Sequence, residues 1–350
     1  MHAHVHRGPL EPLLEGWARL HAGQPDATPF TSPGWAEAWW PHFATNAEPF
    51  LVVVREGDEL IGLGALVRRR KGPLRILEPV GMEPGDYWDV LAAPARRADV
   101  GQAVGAELRR RCGEWDAWLL RCLPPGSPVE AAIDHAGLKV FALPPVTAPA
   151  LVLPETFDAY LASLSSSHRQ NLRRHLRRLD DGEVELREVT DSDALGPAIG
   201  RWHELRRRQW ESAGREISSL HLAPHFTGFV LDCVQALIPR GQALVWEFTR
   251  HGEVIGAYVN FVDPEAFYWY LGGFDPRHTK LGLGKIAIGH GIRTSIEAGR
   301  RRFDFGRGAE PYKYWYGAVD RPLAASVVGS GRTRSRAALL AAAVRARRAA

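Results

Sequence analysis

The stretch FYWYLGGFDPRHTKLGLGKIAIGHGI, residues 267–292, decides how the rest of the chain is read. An aromatic, strand-like run leads into the polar turn FDPRHTK. The basic, glycine-spaced loop KLGLGK follows, and then a helix-like pattern. That order sets the free N–H groups of a helix start beside a strand edge, a seat for a phosphate or pyrophosphate. Gly282 and Gly284 let a backbone approach an anion without a Cβ clash, and Lys280, Lys285 or Arg277 can supply positive charge. The same glycines equally serve tight helix packing, and the pattern alone does not separate the two readings.

Working outward, ALVWEFTRHGEVIGAYVNFVDPEAFYWYLGGFD reads as three strands, with turns at His251-Gly252 and at Asp263-Pro264. RRFDFGRG is a further strand beyond the helix. The first half has the same order. FTSPGWAEAWWPHF opens a helix, with Ser32 as its cap and Pro33 in its first turn. PFLVVVREGDELIGLGALVRRR is a hairpin about Glu56-Gly57-Asp58. DYWDVL is a short strand, residues 100–112 a helix, and WDAWLLRCLP a strand. VVVREGDELIGLGALV and VWEFTRHGEVIGAYVNF share "turn, E, apolar, I, G, x, apolar". The expected fold is therefore mixed α/β (α+β), with one domain type present twice in tandem.

The expected boundaries follow. Residues 1–28 are a peripheral segment, with a short helix about Leu13 to Leu20. Residues 29–152 form the first domain and residues 182–328 the second. Residues 153–181 are a linking helix whose apolar face carries Phe157, Tyr160, Leu161, Leu164, Leu172, Leu176 and Leu179. Residues 329–350 are a basic tail.

Composition bounds the function. With 350 residues, 45% of them hydrophobic, the chain can bury two cores. The formal charge of +4 is uneven, with five arginines in residues 168–178, six in residues 332–348 and no acid in either. Without those eleven, 33 basic residues face 40 acidic ones, so the body is mildly acidic. That argues against a nucleic-acid protein as a whole and leaves local anion contacts open. RQNLRRHLRR could touch RNA phosphates through Arg173, Arg174 and Arg177, but it lacks interleaved aromatics and reads rather as a solvated face paired with the acidic body. The three cysteines form no CxxC pair, which implies free thiols in a reducing, cytoplasmic setting. The MHAHVHRG start has no apolar run, so it reads as a frayed terminus rather than a signal peptide. No membrane span and no metal site are expected.

FTSPGWAEAWW, GDELIGLGALV and DYWDVL in the first half, with SSSHRQNLRRHLRRL, HGEVIGAYVNF, YLGGFDPRHTKLGLGK and RRFDFGRGAEPYKYWYG in the second, resemble the GNAT superfamily of N-acyltransferases. The likeness covers most of residues 28–325. It is nearest the two-domain branch that includes the Fem-type peptidoglycan aminoacyltransferases, and within it the acetyltransferase domain linked to bacterial cellulose-biosynthesis proteins. The resemblance implies, in each domain, a mixed and partly splayed sheet flanked by helices. It implies acetyl-CoA or another acyl-CoA as co-substrate, lying in the gap of the second domain. There it would meet Phe274, Arg277, Lys280, Leu281, Gly282, Leu283, Gly284 and Lys285. The first half has no Gly-x-Gly between DYWDVL and its helix, so the cofactor is expected in the second domain only.

Acyl transfer to an amine needs a proton acceptor, donors for the developing oxyanion and a donor for the leaving group. Glu310 and Asp304 are the candidate acids and Tyr312 the candidate hydroxyl donor, with Tyr314 or Tyr316 as substitutes. Asp304 could equally hold Arg301 or Arg307, and Tyr314, Trp315 and Tyr316 could be packing. For the acceptor the candidates are Asp86, Tyr87, Asp89, Arg206, Trp210 and Lys313. The expected reaction moves an acyl, expectedly acetyl, group from acyl-CoA to an amine acceptor of small-molecule or cell-envelope origin, in a cleft between the two domains. A Fem-like aminoacyltransferase using charged tRNA, and a non-catalytic scaffold in envelope polysaccharide synthesis, are the alternatives.

Overall fold

The computed structural model describes residues 1–214, 219–336 and 339. Most of the basic tail lies outside the described residues. The chain divides into two compact units, residues 1–147 with 322–350, and residues 148–321.

In the first unit, β1 (His2–His6) precedes α1 (Glu11–Ala22) and α2 (Pro33–Phe43). Ser32 caps α2, its hydroxyl accepting from the Trp35 amide at 3.1 Å. β2 (Ala47–Pro49), β3 (Leu51–Glu56), β4 (Glu59–Gly64), β5 (Leu66–Lys71), β6 (Leu74–Pro79) and β7 (Leu91–Ala92) follow. Then come α3 (Arg97–Arg110), β8 (Ala117–Leu123), α4 (Pro128–Ala136) and β9 (Lys139–Thr147). The sequence predicts a frayed start, but residues 2–6 pair antiparallel with β3, because β3 would otherwise present a bare edge.

The second unit opens with β10 (Ala150–Val152), α5 (Phe157–Ser163) and α6 (Ser166–Asp180). It continues with β11 (Glu185–Glu188), α7 (Ser192–Ser212), α8 (Ser219–Leu222), α9 (Pro224–Leu237), β12 (Ala243–Arg250), β13 (Glu253–Val262) and β14 (Ala266–Phe274). After α10 (Leu283–Glu297), β15 (Arg302–Asp304) and α11 (Pro311–Tyr314), the final strand β16 (Pro322–Gly329) returns to the first unit.

The first unit holds two sheets, ordered β1-β3-β4-β7 and β2-β5-β6-β8-β16-β9. The second holds one, ordered β10-β15-β14-β13-β12-β11. β16 sits between β8 and β9, antiparallel to both. Residues 322–328 therefore belong to the first unit, not to the second domain as the sequence order suggests. Strand hydrogen bonding, which sequence proximity does not encode, decides this. Likewise β10 leaves the first half and pairs with β15.

The expected linking helix is two helices. Leu164 is extended (φ −80°, ψ 151°) and the Ser165 hydroxyl caps α6. Leu172 and Leu176 of α6 then pack on α10 at Gly289, where a Cβ would lie 2.6 Å from Leu172 Cδ1. Burying those two leucines contributes about 1.5–3 kcal/mol each. Both β12–β14 turns form as read: His251 and Gly252 take left-handed backbone, and the Asp263 carboxylate accepts from the Glu265 and Ala266 amides.

Candidate active site

β14 carries the feature on which the site is built. Its parallel pairing with β15 covers only Ala266 to Tyr268. Beyond that point the two strands part, and among the described residues no strand flanks Trp269–Phe274 on that side. On the other side a register shift between Val259 and Asn260 leaves Tyr270 as the extra residue of a β-bulge. A bulge bends its strand and increases the local twist, which re-aims side chains at this opening.

Arg206, Trp269, Tyr270 and Tyr312 gather there. Arg206 of α7 donates to the Gly272 carbonyl at 2.9 Å. Its guanidinium lies 5.1 Å over the Trp210 ring. The Trp269 side chain is hydrogen-bonded to the Tyr312 hydroxyl, and burial, with the Glu310 charge nearby, pushes that hydroxyl up to about 12. Tyr312 therefore stays protonated at neutral pH and can donate. Tyr316 is buried beside it, and burial raises its pKa too. The sequence pairing of Arg206 with Trp210, and the choice of Tyr312, thus fall on neighbouring groups.

Other candidates are placed differently. Asp304 is fully buried; its carboxylate accepts from the Gly306 amide at 2.9 Å and from Arg321 at 3.2 Å, with Arg302 at 3.5 Å. It ties down the loop that leaves β15. Lys313 is also buried. Its ammonium donates to the carbonyls of Arg307 (2.8 Å), Gly308 (2.9 Å) and Gly306 (3.3 Å), and pairs with Glu310 at 2.8 Å. All its donors are used on its own loop, so none is left for an anionic ligand. Glu310 remains exposed at the loop tip.

In the first unit Tyr87 is buried against Phe30. Asp89 accepts from the Ser127 hydroxyl and the Val90 amide, with Arg97 at 3.7 Å. Burial nonetheless pushes its carboxyl up to about 7. Asp86 is half-buried in the preceding turn.

The glycine loop divides into two halves. Gly282 takes φ +70°, caps α10, and faces the ring of His175, which lies 2.5 Å from where a Cβ would stand. The His175 Nδ1–H donates to the Leu281 carbonyl at 3.0 Å, and Arg178 donates to the carbonyls of Lys280 and Leu281. Burial, with Lys285, Arg178 and Arg174 nearby, holds His175 down at about 4 and neutral. Residues 280–282 thus turn carbonyls and a filled face toward α6. Arg277 pairs with Asp275 and Glu253 through Nε and Nη2, and its side chain stays exposed. Phe274 packs against the core, and its amide donates to Gln209. Gly284 has nothing within 4 Å of a Cβ position, and the first-turn N–H groups of Leu283 and Gly284 have no partner along the helix.

Two pockets adjoin this open half. One, of about 270 Å³, is lined by Leu164, His168, Leu172, Lys285, Trp315 and Tyr316. The other, about 530 Å³, shares Ser167 and Asn171 with it and is lined by Arg173, Arg174 and Arg177. The sequence reading pairs those arginines with acidic residues. Among the described residues none of the three has an ion-pair partner, because the acids near α6, Asp180 and Glu183, engage Arg293, and Arg178 with Arg250. Trp315, which lines the first of these pockets with Lys285 6.0 Å over its ring, is 49% exposed. Sequence periodicity missed the part His175 and Arg178 play on the loop; the i,i+3 spacing of His175 from Leu172, and of Arg178 from His175, was the available signal.

Residues 166–314 match the acetyltransferase (GNAT) domain family. The fold is a tandem GNAT fold. A crystal structure of FemX is similar at TM-score 0.66 and 11% identity, covering 93% of this chain and 97% of that one. The C-terminal domain of a putative lysylphosphatidylglycerol synthetase from Agrobacterium fabrum is similar at TM-score 0.58 and 12% identity, covering 96% and 97%. L-PGS from Bacillus licheniformis is similar at TM-score 0.50 and 12% identity, covering 90% and 96%. No curated protein matches the sequence. Among the described residues no helix is long and apolar enough to cross a membrane. The opening between β14 and β15 is the GNAT splay, and the second unit carries it with the glycine loop at its side.

Proposed function

We propose that this GNAT-fold protein is a Fem-like aminoacyltransferase whose donor is a charged tRNA. One observation carries the reading: the seat expected for a CoA pyrophosphate is half closed by His175 and Arg178, while Arg173, Arg174 and Arg177 stand without acidic partners in the pocket adjoining that of the exposed Trp315. Unpaired arginines with an exposed aromatic suit a single-stranded nucleic-acid end, through phosphate contacts and base stacking. The likeness to FemX and to the domain of a putative lysylphosphatidylglycerol synthetase supports the same branch.

In this reading the acyl ester of the tRNA end enters the opening beside β14. The acceptor amine attacks the ester carbon, a C–N bond forms, the C–O bond breaks, and the leaving ribose oxygen takes a proton. Tyr312, held protonated, donates to that oxygen. The amine proton passes to water or to the exposed Glu310.

A second reading, an acyl-CoA-dependent N-acyltransferase acting on a small or cell-envelope amine, is favoured by the open Gly284 and by Lys285 at the α10 start. It also accords with the resemblance to the cellulose-linked acetyltransferase domain. Filter binding with charged tRNA, beside calorimetry with acetyl-CoA, tests the choice. Charged tRNA should be retained and its label moved to an amine. Acetyl-CoA binding without tRNA retention would overturn the first reading in favour of the second.

A further inference from the structure

Among the described residues of the second unit, Arg206 is a half-buried charge that no carboxylate answers. The other arginines along this sheet have carboxylates: Glu247 receives Arg187 and Arg201, and Asp304 receives Arg302 and Arg321. Among the described residues no carboxylate lies within ion-pair distance of Arg206. One terminal nitrogen is used on the Gly272 carbonyl, and the other lies 3.5 Å from His221 Nδ1. Nε is shielded from solvent and has no partner. A guanidinium cannot shed its proton, so withdrawing its Nε–H from water without an acceptor is unfavourable.

The surroundings do not relieve this charge. Burial holds His221 near 4, with Arg206 and Arg307 both opposing its protonation, so it adds no counter-charge. The hydroxyls of Tyr270 and Tyr312 also lie near Arg206, and burial keeps that of Tyr312 protonated. The Arg206 backbone is pinned at this place, since α7 is pressed on β14: a Cβ on Gly273 would lie 2.5 Å from the Arg206 amide. With one terminal nitrogen satisfied, the Nε edge of the fork remains, and that edge matches the two oxygens of a carboxylate.

We propose that the Nε edge of Arg206, flanked by Tyr270 and Tyr312 at the opening of β14, is a carboxylate-binding subsite, and that the acceptor carries a carboxylate. The inference rests on the acyl-transfer reading above and adds to it the chemical class of the acceptor. The carboxylate anchors the acceptor on β14 beside Tyr312, the hydroxyl assigned to the leaving group. A singly charged carboxylate matches the one unanswered cation better than a phosphate dianion does.

The test is calorimetry on the full chain with N-acetyl-L-alanine and its amide, N-acetyl-L-alaninamide. The acid should bind the unaltered protein about tenfold more tightly than the amide. Arg206→Gln should bind the two alike, and Arg206→Lys, which keeps the charge and loses the fork, should retain a reduced preference. The Lys variant serves if the Gln variant does not fold. Equal binding of acid and amide, or a preference that survives in Arg206→Gln, overturns the proposal. Inorganic phosphate displacing the acid at lower concentration than the acid itself binds also overturns it. The readout needs no acyl transfer: an intact acid preference with no transfer from charged tRNA or acetyl-CoA would remove the functional reading and leave the subsite standing.

Discussion

The two units treat the chain after β8 and after β15 in opposite ways. In the first, α4 lies directly on α3, and the contact is made at glycines. A Cβ on Gly101 would stand 2.3 Å from the Pro128 carbonyl oxygen, and one on Gly105 2.1 Å from that of Ala132. In the second, the chain after β15 makes only the four-residue α11, and α6 packs on α10 at Gly289. The start of α10 is left open at Gly284. One copy has filled the space beside its helix with another helix. The other has kept part of it clear, lined by Lys285, Trp315 and the arginines of α6. Glycine in a helix thus carries two meanings in one protein, and the neighbouring atoms separate them.

Substitutions can break this comparison, and the largest effect belongs to the filled copy. Gly105→Leu should separate α3 from α4 and cost more than about 3 kcal/mol, read as a lower midpoint in denaturant unfolding. A variant with unchanged stability would mean that the two helices are not held at backbone contact. Next is the triple change of Arg173, Arg174 and Arg177 to Gln on the open copy. It should weaken tRNA binding about 100-fold at moderate salt and flatten the salt dependence by about two units of slope, as expected for three lost phosphate contacts. An unchanged slope in a KCl titration would return those arginines to the role of a solvated face.

Tyr312→Phe should lower the transfer rate about 10- to 100-fold while leaving donor binding intact, measured by single-turnover transfer of label. A drop in binding with no change in rate would make the hydroxyl a positioning group. The smallest effect is expected at Gly284→Ala. With open space around the position, helix stability should rise by up to about 1 kcal/mol, in contrast to Gly105. Donor binding should fall at the same time. Thermal unfolding and filter binding on the same sample would reveal any departure from that opposition.

Much of the fold was legible. The Ser32 cap, the 251–252 and 263–264 turns, the strand run ending at Phe274 and the helix after the glycines all follow from local chemistry. The strand exchange was not. Nothing in PLAASVVG says that it pairs between β8 and β9, because a strand's partners are set by the edges available in the finished sheet. The site divides the same way. The contact of Arg206 with Trp210 could be read from their i,i+4 spacing. Asp304 and Lys313 read equally well, yet their charges are spent on backbone and on neighbouring side chains. Sequence reports that a charge exists and not whether it is already answered.

By itself, the sequence determined that one domain type occurs twice and that only the second copy has a glycine loop before its helix. Periodicity, turn residues and spacing are local properties, and they survive without the fold. Only the tertiary structure decided which half of that loop is open, which arginines lack partners, and where β16 belongs. Each of those depends on atoms distant in sequence, such as His175 against Gly282, competing for the same space or the same hydrogen bond.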